Sequence, residues 1–343
     1  MRKLLNTLYV TTPETYLALD GENVVVLLEN AEKLRIPLHT LESIAYFGYK
    51  GTSPALMGAC AERGIRLSYF TPNGRFLAAA SANENGNVLL RKCQYRLSDD
   101  SGMSAEIARS FILAKLYNSR WILERATRDH PQRVDVAAIK ASCRVLADQA
   151  HTLETCADLD TLRGLEGSAS ERYFSHFNDM ILTGNEQFYF SGRNRRPPLD
   201  RVNAMLSFLY ALLSNTCASA LEQAGLDPYV GFLHRDRPGR VSLALDLMEE
   251  FRGLFCDRLA LTMINTRAIS AKNFDFKENG AVFLNDSGRK AVITAWQARK
   301  QETIMHPYLS EKVPWGLVPH LQALLLARYL RGDLDAYPPF LWK

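Results

Sequence analysis

The sequence predicts an α+β protein: a small β-rich N-terminal domain over residues 1–86, expected to serve dimerisation, followed by a larger all-α catalytic domain over residues 87–343. Three observations predict it. Short β-prone runs punctuated by turn residues fill residues 4–79. Beyond residue 100 the apolar residues recur at helical spacing instead. Between the two lies a polar, turn-rich stretch, Asn83-Glu-Asn-Gly-Asn87, and the domain boundary is placed there.

Leu4 to Val10, Tyr16 to Leu19 and Val24 to Leu28 read as strands, with Asp20-Gly21 turning a hairpin between the last two. Ile36-Pro-Leu-His39 and Ser43-Ile-Ala-Tyr-Phe47 continue the pattern. Ser53 to Arg63 reads as one short helix, with Ser53 as N-cap and Pro54 at its first position. Two more strands, Ile65 to Phe70 and Phe76 to Ala79, flank the turn Pro72-Asn-Gly74. From Met103 to Leu123 the residues Ile107, Phe111, Leu113, Leu116, Tyr117 and Trp121 mark a helix, and the pattern returns in 135–157, 160–180, 201–225, 242–265 and 318–331.

Bulk properties narrow the class. With 343 residues, 47% hydrophobic and 23% charged, the chain has the composition of an ordinary globular protein of roughly two domains. A net charge of +4 is compatible with nucleic acid without requiring it. None of the six cysteines forms a C-x-x-C pair, so a zinc ribbon is excluded and buried free thiols are expected. Met1 to Tyr9 is basic but lacks an apolar signal core, and Leu321–Ala327 is too short to span a bilayer, so a cytoplasmic protein is expected.

Three side chains stand out as candidate ligands of a divalent cation: Glu166, in Leu-Glu-Gly-Ser-Ala-Ser-Glu-Arg-Tyr-Phe174; His234, ending Tyr229-Val-Gly-Phe-Leu-His; and Glu249, in Ser242-Leu-Ala-Leu-Asp-Leu-Met-Glu-Glu-Phe-Arg252. Two carboxylates and an imidazole suit a cation that keeps room for water and phosphate oxygens. On a helix, Asp246 lies three residues from Glu249 and four from Glu250, so the three acids crowd one face while Leu243, Leu247 and Phe251 face the core. Each of these features has a plainer reading: a solvated acidic face paired with Arg252 or Arg258, a packed or capping His234, and a Glu166 favoured by the positive end of its helix. On the helix reading Glu166, Ser170 and Tyr173 share a face, and Pro238-Gly239 lets the chain bring His234 back to the start of the acidic helix. The basic loop Ser191-Gly-Arg-Asn-Arg-Arg-Pro-Pro198 carries Arg193, Arg195 and Arg196, whose planar guanidinium groups suit phosphate, although a salt-bridged surface loop reads the same. A weaker basic stretch, Arg289 to Lys300 around Trp296, also reads as an ordinary amphipathic helix. His234-Arg-Asp236 is no kinase catalytic loop, because no glycine-rich loop precedes it and no Asp-Phe-Gly follows; P-loop and G-x-S-x-G motifs are also missing.

Taken in order, L-E-G-S-A-S-E-R-Y-F, G-R-N-R-R-P-P-L-D-R-V-N-A-M-L-S-F-L-Y and H-R-D-R-P-G-R-V-S-L-A-L-D-L-M-E-E-F-R resemble the CRISPR-associated adaptation integrase family, Cas1, with a loop style and length most like subtype I-C. The resemblance spans essentially the whole chain. It implies a metal-dependent DNA endonuclease and integrase that inserts short DNA fragments into a CRISPR repeat by transesterification. It further implies Mg²⁺ or Mn²⁺ bound by Glu166, His234 and Glu249, with Asp246 a further catalytic acid beside the metal that orients a ligand or a water. It implies DNA contacts through Arg193, Arg195 and Arg196, a homodimer, and a smaller partner subunit, Cas2. A stand-alone metal-dependent nuclease or phosphoesterase would use the same residues, and a non-catalytic DNA-binding scaffold would use the acids only structurally.

Overall fold

The computed structural model describes residues 5–12, 14–80, 87–183, 186–194 and 196–343. The boundary stretch 83–86, Leu4 at the start of the expected opening strand and Arg195 lie outside the described residues.

The N-terminal part follows the sequence closely. It comprises β1 (Thr7–Val10), β2 (Thr15–Asp20), β3 (Asn23–Leu28), β4 (Ala31–Pro37), β5 (Ser43–Phe47), α1 (Pro54–Glu62), β6 (Arg66–Phe70) and β7 (Phe76–Ala80). Strands β2, β3 and β4 form an antiparallel meander in which Asp20 faces Asn23 across the expected turn. A second sheet runs β1-β5-β6-β7, parallel except for β7. Ser53 Oγ accepts the Leu56 amide, so the helix α1 begins where the serine and proline place it. β4 starts five residues earlier than Ile36, because Ala-Glu-Lys-Leu-Arg35 is an exposed, charged edge strand with no alternation to reveal it.

β5 shows why this sheet has two apolar faces. Ile44 and Tyr46 pack into a small core with α1 and the meander, whereas Ala45 and Phe47 point into the core of the helical part. Phe47 stacks on Phe70 with ring centroids 4.9 Å apart.

The helical part comprises α2 (Val88–Asp99), α3 (Ser101–Asp129), α4 (Val136–Leu153), α5 (Leu159–Ser175), α6 (Arg201–Gln223), α7 (Ser242–Met248), α8 (Arg258–Asn265), α9 (Asp286–Gln301) and α10 (Val318–Leu330). Phe208 of α6 lies 5.8 Å from Phe47, and Gly74, with φ +85°, sits so close that a Cβ there would be 2.5 Å from the Phe208 ring. Only glycine fits that turn.

Three expectations are corrected. The C-terminal part is not all-α: two antiparallel hairpins, β8 (Phe274–Phe276) with β9 (Val282–Leu284) and β10 (Thr303–Met305) with β11 (Lys312–Pro314), interrupt it. Three-residue strands are too short to display a period of two. The expected helix over 242–265 is broken, because α7 stops at Met248, the chain turns through Glu249–Phe251, and a π-helical segment, Arg252–Asp257, leads into α8. The extra residue per turn lets Gly253 approach α3, where a Cβ would meet Ile122 Cδ1 at 2.8 Å. Finally, α6, with a mean hydropathy of 1.4, is long and apolar enough to cross a membrane. Here it is the central core helix, packed against α7 and α10.

Beneath α5 and α6 a buried acid ties the π-helical segment down. Asp257 Oδ1 accepts the Tyr210 hydroxyl at 2.6 Å. Burial raises its carboxyl to about 6, against the opposing pull of Tyr210, Arg252 and Arg193. Because the folded form then holds its proton above the ordinary value of 3.8, stability falls as pH rises from about 4 to 6, by at most about 3 kcal/mol at roughly 1.4 kcal/mol per unit. An Asp257→Asn chain should lack that component. Urea unfolding at pH 4.0 and 6.5 should therefore show the variant gaining on the parent as pH rises, and parallel curves would contradict the assignment.

Candidate active site

The three motifs meet where α3, α5, α7 and the loop 231–234 converge. Asp246 organises the loop. Its Oδ2 accepts the amides of Phe232 at 2.7 Å and Leu233 at 3.0 Å. Its Oδ1 accepts the His234 amide at 2.9 Å and the His234 ring at Nδ1, 2.6 Å away. The side chain is fully buried, and four donors leave it no lone pair for a metal. Asp246, the acid expected to orient a ligand or a water, bonds the His234 ring and its loop. It fixes the ring at Nδ1 and leaves Nε2 as the nitrogen not bonded to Asp246.

The loop reaches Asp246 because residue 231 is glycine. A Cβ there would lie 2.8 Å from Ser242 Cβ and 2.9 Å from Asp246 Oδ2. Gly231→Ala should push the loop off the carboxylate and lower turnover on the order of tenfold, as expected for a disturbed outer partner of a ligating histidine. Turnover measured beside an unchanged DNA affinity would check this.

Glu166 and Glu249 meet at one ammonium. Lys115 of α3 bonds Glu166 Oε1 and stands 2.8 Å from Glu249 Oε2. Ser170 Oγ, one turn along α5, also donates to Glu166 Oε1 at 2.9 Å. Glu166 lies well inside α5, beyond its first turn, so the helix end does not account for it. Arg252 pairs with Glu249 Oε1 at 2.6 Å as an ion pair. Burial works against ionising Glu249, but Arg252, Lys115 and His234 outweigh it and hold the carboxyl down at about 2.

The shared acidic face expected along 242–252 is not what forms. Asp246, Glu249 and Glu250 are all buried, and each turns to different partners. Glu250 accepts the Tyr337 hydroxyl at 2.5 Å, the Gln322 amide at 3.0 Å and the Phe340 backbone amide at 2.8 Å. The predicted pair with Arg252 exists, but inside the protein rather than on a solvated face. Among the described residues no three His, Cys, Asp or Glu side chains converge closely enough to hold a metal ion as they stand. Of the expected ligands, Glu166 and Glu249 are gathered by Lys115, while His234 is tied to Asp246 and lies near enough to lower the Glu249 carboxyl.

Lys115 and Asn118 were not singled out from the sequence, although both sit on the apolar stripe that begins with Ile107 and Phe111. A charge and an amide on a buried stripe are the signal. Asn118 Nδ2 donates to the backbone oxygens of Glu250 and Phe340 and so joins α3 to the chain after α7 and to the C-terminal segment.

Beside this cluster runs a groove of about 820 Å³ lined by Arg66, Arg75, Arg193, Arg196, Arg252 and Arg289, with no carboxylate among its lining residues. Arg252 belongs to both, lining the groove and pairing with Glu249. Of the basic loop, Arg196 is exposed, while Arg193 turns inward onto Asn203 Oδ1 at 2.7 Å and the Tyr210 ring at 5.0 Å, so it stiffens the loop as well as facing the groove. The stretch Arg289 to Lys300 is a core helix, with Trp296 buried 4.5 Å from Phe255.

At this site Glu166 of α5 and Glu249, just beyond α7, share Lys115 beside a histidine held by Asp246, with a basic groove alongside. The sequence model of the family described as CRISPR associated protein Cas1 matches residues 8–298. A CRISPR-associated endonuclease Cas1 of Chlorobaculum tepidum is 50% identical over 343 residues, covering 100% of both chains. The chain therefore belongs to the Cas1 family. Among solved structures, a casposase bound to its integration product superposes with a TM-score of 0.85 at 23% identity, over 98% of this chain and 93% of that one. A Cas6-RT-Cas1–Cas2 complex superposes with a TM-score of 0.81 at 22% identity, over 98% of this chain and 36% of that one.

Proposed function

We propose that this chain is a divalent-metal-dependent DNA endonuclease and integrase that joins short DNA fragments to a CRISPR repeat, in the cytoplasm, as a homodimer working with a Cas2 subunit. The observation that carries the reading is the convergence of Glu166 of α5 and Glu249, just beyond α7, on one cation position beside a carboxylate-held histidine. The relatives named as Cas1 endonucleases and the casposase caught with its integration product support the activity, and the Cas1–Cas2 complex supports the partner.

The donor set fits Mg²⁺ or Mn²⁺. Two carboxylates already share one positive centre, and the buried Glu249 Oε2, although close to Lys115 Nζ, has no aligned hydrogen-bond donor. Glu166, Glu249 and His234 through Nε2 would hold the ion, which supplies Lewis-acid polarisation of a phosphodiester. The protein's own groups do the rest. Asp246 keeps the imidazole in one tautomer and one orientation. Arg252 keeps Glu249 ionised across the working pH range and places a guanidinium beside the phosphate-binding groove. Arg196 and the other groove arginines hold the DNA backbone. The fragment's 3′-hydroxyl forms a new phosphodiester as the bond in the repeat breaks, and the hydroxyl proton passes to the departing oxygen, so no covalent protein intermediate is needed.

Incubation of the protein and its Cas2 partner with a repeat-containing plasmid and a short duplex tests this. Covalent joining of the duplex to the repeat in Mn²⁺, lost with a chelator, is the expected result. Cleavage without joining would reduce the activity to that of a nuclease, and indifference to the chelator would remove the metal.

A further inference from the structure

Lys115 is the charged group in the site whose position is hardest to explain by folding alone. It is nearly buried, at 9% side-chain exposure, on a stretch of α3 whose neighbours Phe111, Ile112, Ala114 and Leu116 are all core residues. A buried ammonium is costly unless it is paired. Here both partners are acids of the site, one from α5 and one just beyond α7. Without it, Glu166 and Glu249 would share the single charge of Arg252, leaving a net negative charge at the site. The contact with Glu249 is one of charge rather than of a formed hydrogen bond, because Oε2 has no aligned donor. A lysine is also a mobile point charge on a four-carbon stem, able to withdraw where an arginine fork would stay.

We propose that Lys115 is a resident counter-cation: its ammonium holds Glu166 and Glu249 together when no metal is bound and has to leave that position when a divalent ion enters, so Lys115 sets the affinity of the site for the ion. The inference rests on the metal-site reading given above and names the residue against which the metal competes. Lys115 stands between two of the three proposed ligands, Glu166 and Glu249.

Titration calorimetry of Mn²⁺ into the full chain tests it, using the parent, Lys115→Met, Lys115→Arg and Glu166→Gln, together with melting in chelator and in Mn²⁺. Lys115→Met should bind Mn²⁺ at least tenfold more tightly than the parent. It should melt lower than the parent in chelator, where two carboxylates repel, and recover when Mn²⁺ is added. Lys115→Arg should bind no more tightly than the parent. Equal or weaker binding by Lys115→Met would overturn the proposal, as would a Lys115→Met chain that stays insoluble even when prepared in Mn²⁺. Glu166→Gln separates the two levels. Mn²⁺ binding that survives in Glu166→Gln removes the metal assignment itself, whereas binding lost in Glu166→Gln but unchanged in Lys115→Met removes only the role of Lys115.

Discussion

An Asp246→Asn chain should lose strand transfer by on the order of 100-fold or more while still binding DNA. The carboxylate accepts four hydrogen bonds, three from consecutive backbone amides and one from His234 Nδ1. An asparagine keeps one acceptor oxygen and turns an NH₂ group toward donors. Either the amides of Phe232 and Leu233 or the two His234 groups then face a donor, which costs about 1–3 kcal/mol for each unsatisfied group. If the imidazole side loses, the ring is free to rotate or change tautomer, and Nε2 no longer points reliably at the site. The groove arginines are untouched, so fluorescence anisotropy with a labelled duplex should give a dissociation constant close to that of the parent. Joining activity within threefold of the parent would show that His234 does not depend on Asp246.

The second large effect is expected far from the motifs. Phe340→Ala should destabilise the protein by about 3–5 kcal/mol, the usual cost of emptying a buried phenylalanine site. Phe340 is fully buried against Phe251, His306 and Trp315, at centroid distances of 5.7, 5.4 and 5.7 Å. Its backbone amide and carbonyl are bonded to Glu250 and Asn118. Losing the ring loosens the segment that supplies Glu250 with two of its three donors. Since Glu250 follows Glu249 directly, joining activity should fall together with the urea midpoint. A loss below about 1 kcal/mol would mean that the C-terminal segment is not part of the core that supports the site.

How much of this was legible in the sequence depends on whether the cause was local. The hairpin at Asp20-Gly21, the Ser53-Pro54 start of α1 and the core stripe Leu243, Leu247, Phe251 were legible because turn chemistry, capping and periodicity act within a few residues. The three-residue strands β8 to β11 carry no period, and the π-helical segment is set by Gly253 lying against Ile122 of another helix. The site divides the same way. Glu166, His234, Asp246 and Glu249 stood out as polar groups in apolar surroundings, but the side chains that each one turns to did not. Helical spacing put Asp246, Glu249 and Glu250 on one repelling face, whereas tertiary partners 12 to 134 residues away take each one separately. Arg193 looked like a phosphate contact because its loop is basic, and only the packing of Asn203 and Tyr210 shows that it also braces that loop.

The central claim is that Glu166, His234 and Glu249 jointly grip one divalent ion. An anomalous difference map from crystals soaked in Mn²⁺ tests it most directly. The account predicts a single strong peak within ligating distance of Glu166, of Glu249 and of His234 Nε2, with the Lys115 ammonium displaced from between the two carboxylates. A peak held elsewhere, or none at this position in crystals of protein that joins DNA in the same Mn²⁺ concentration, would contradict it.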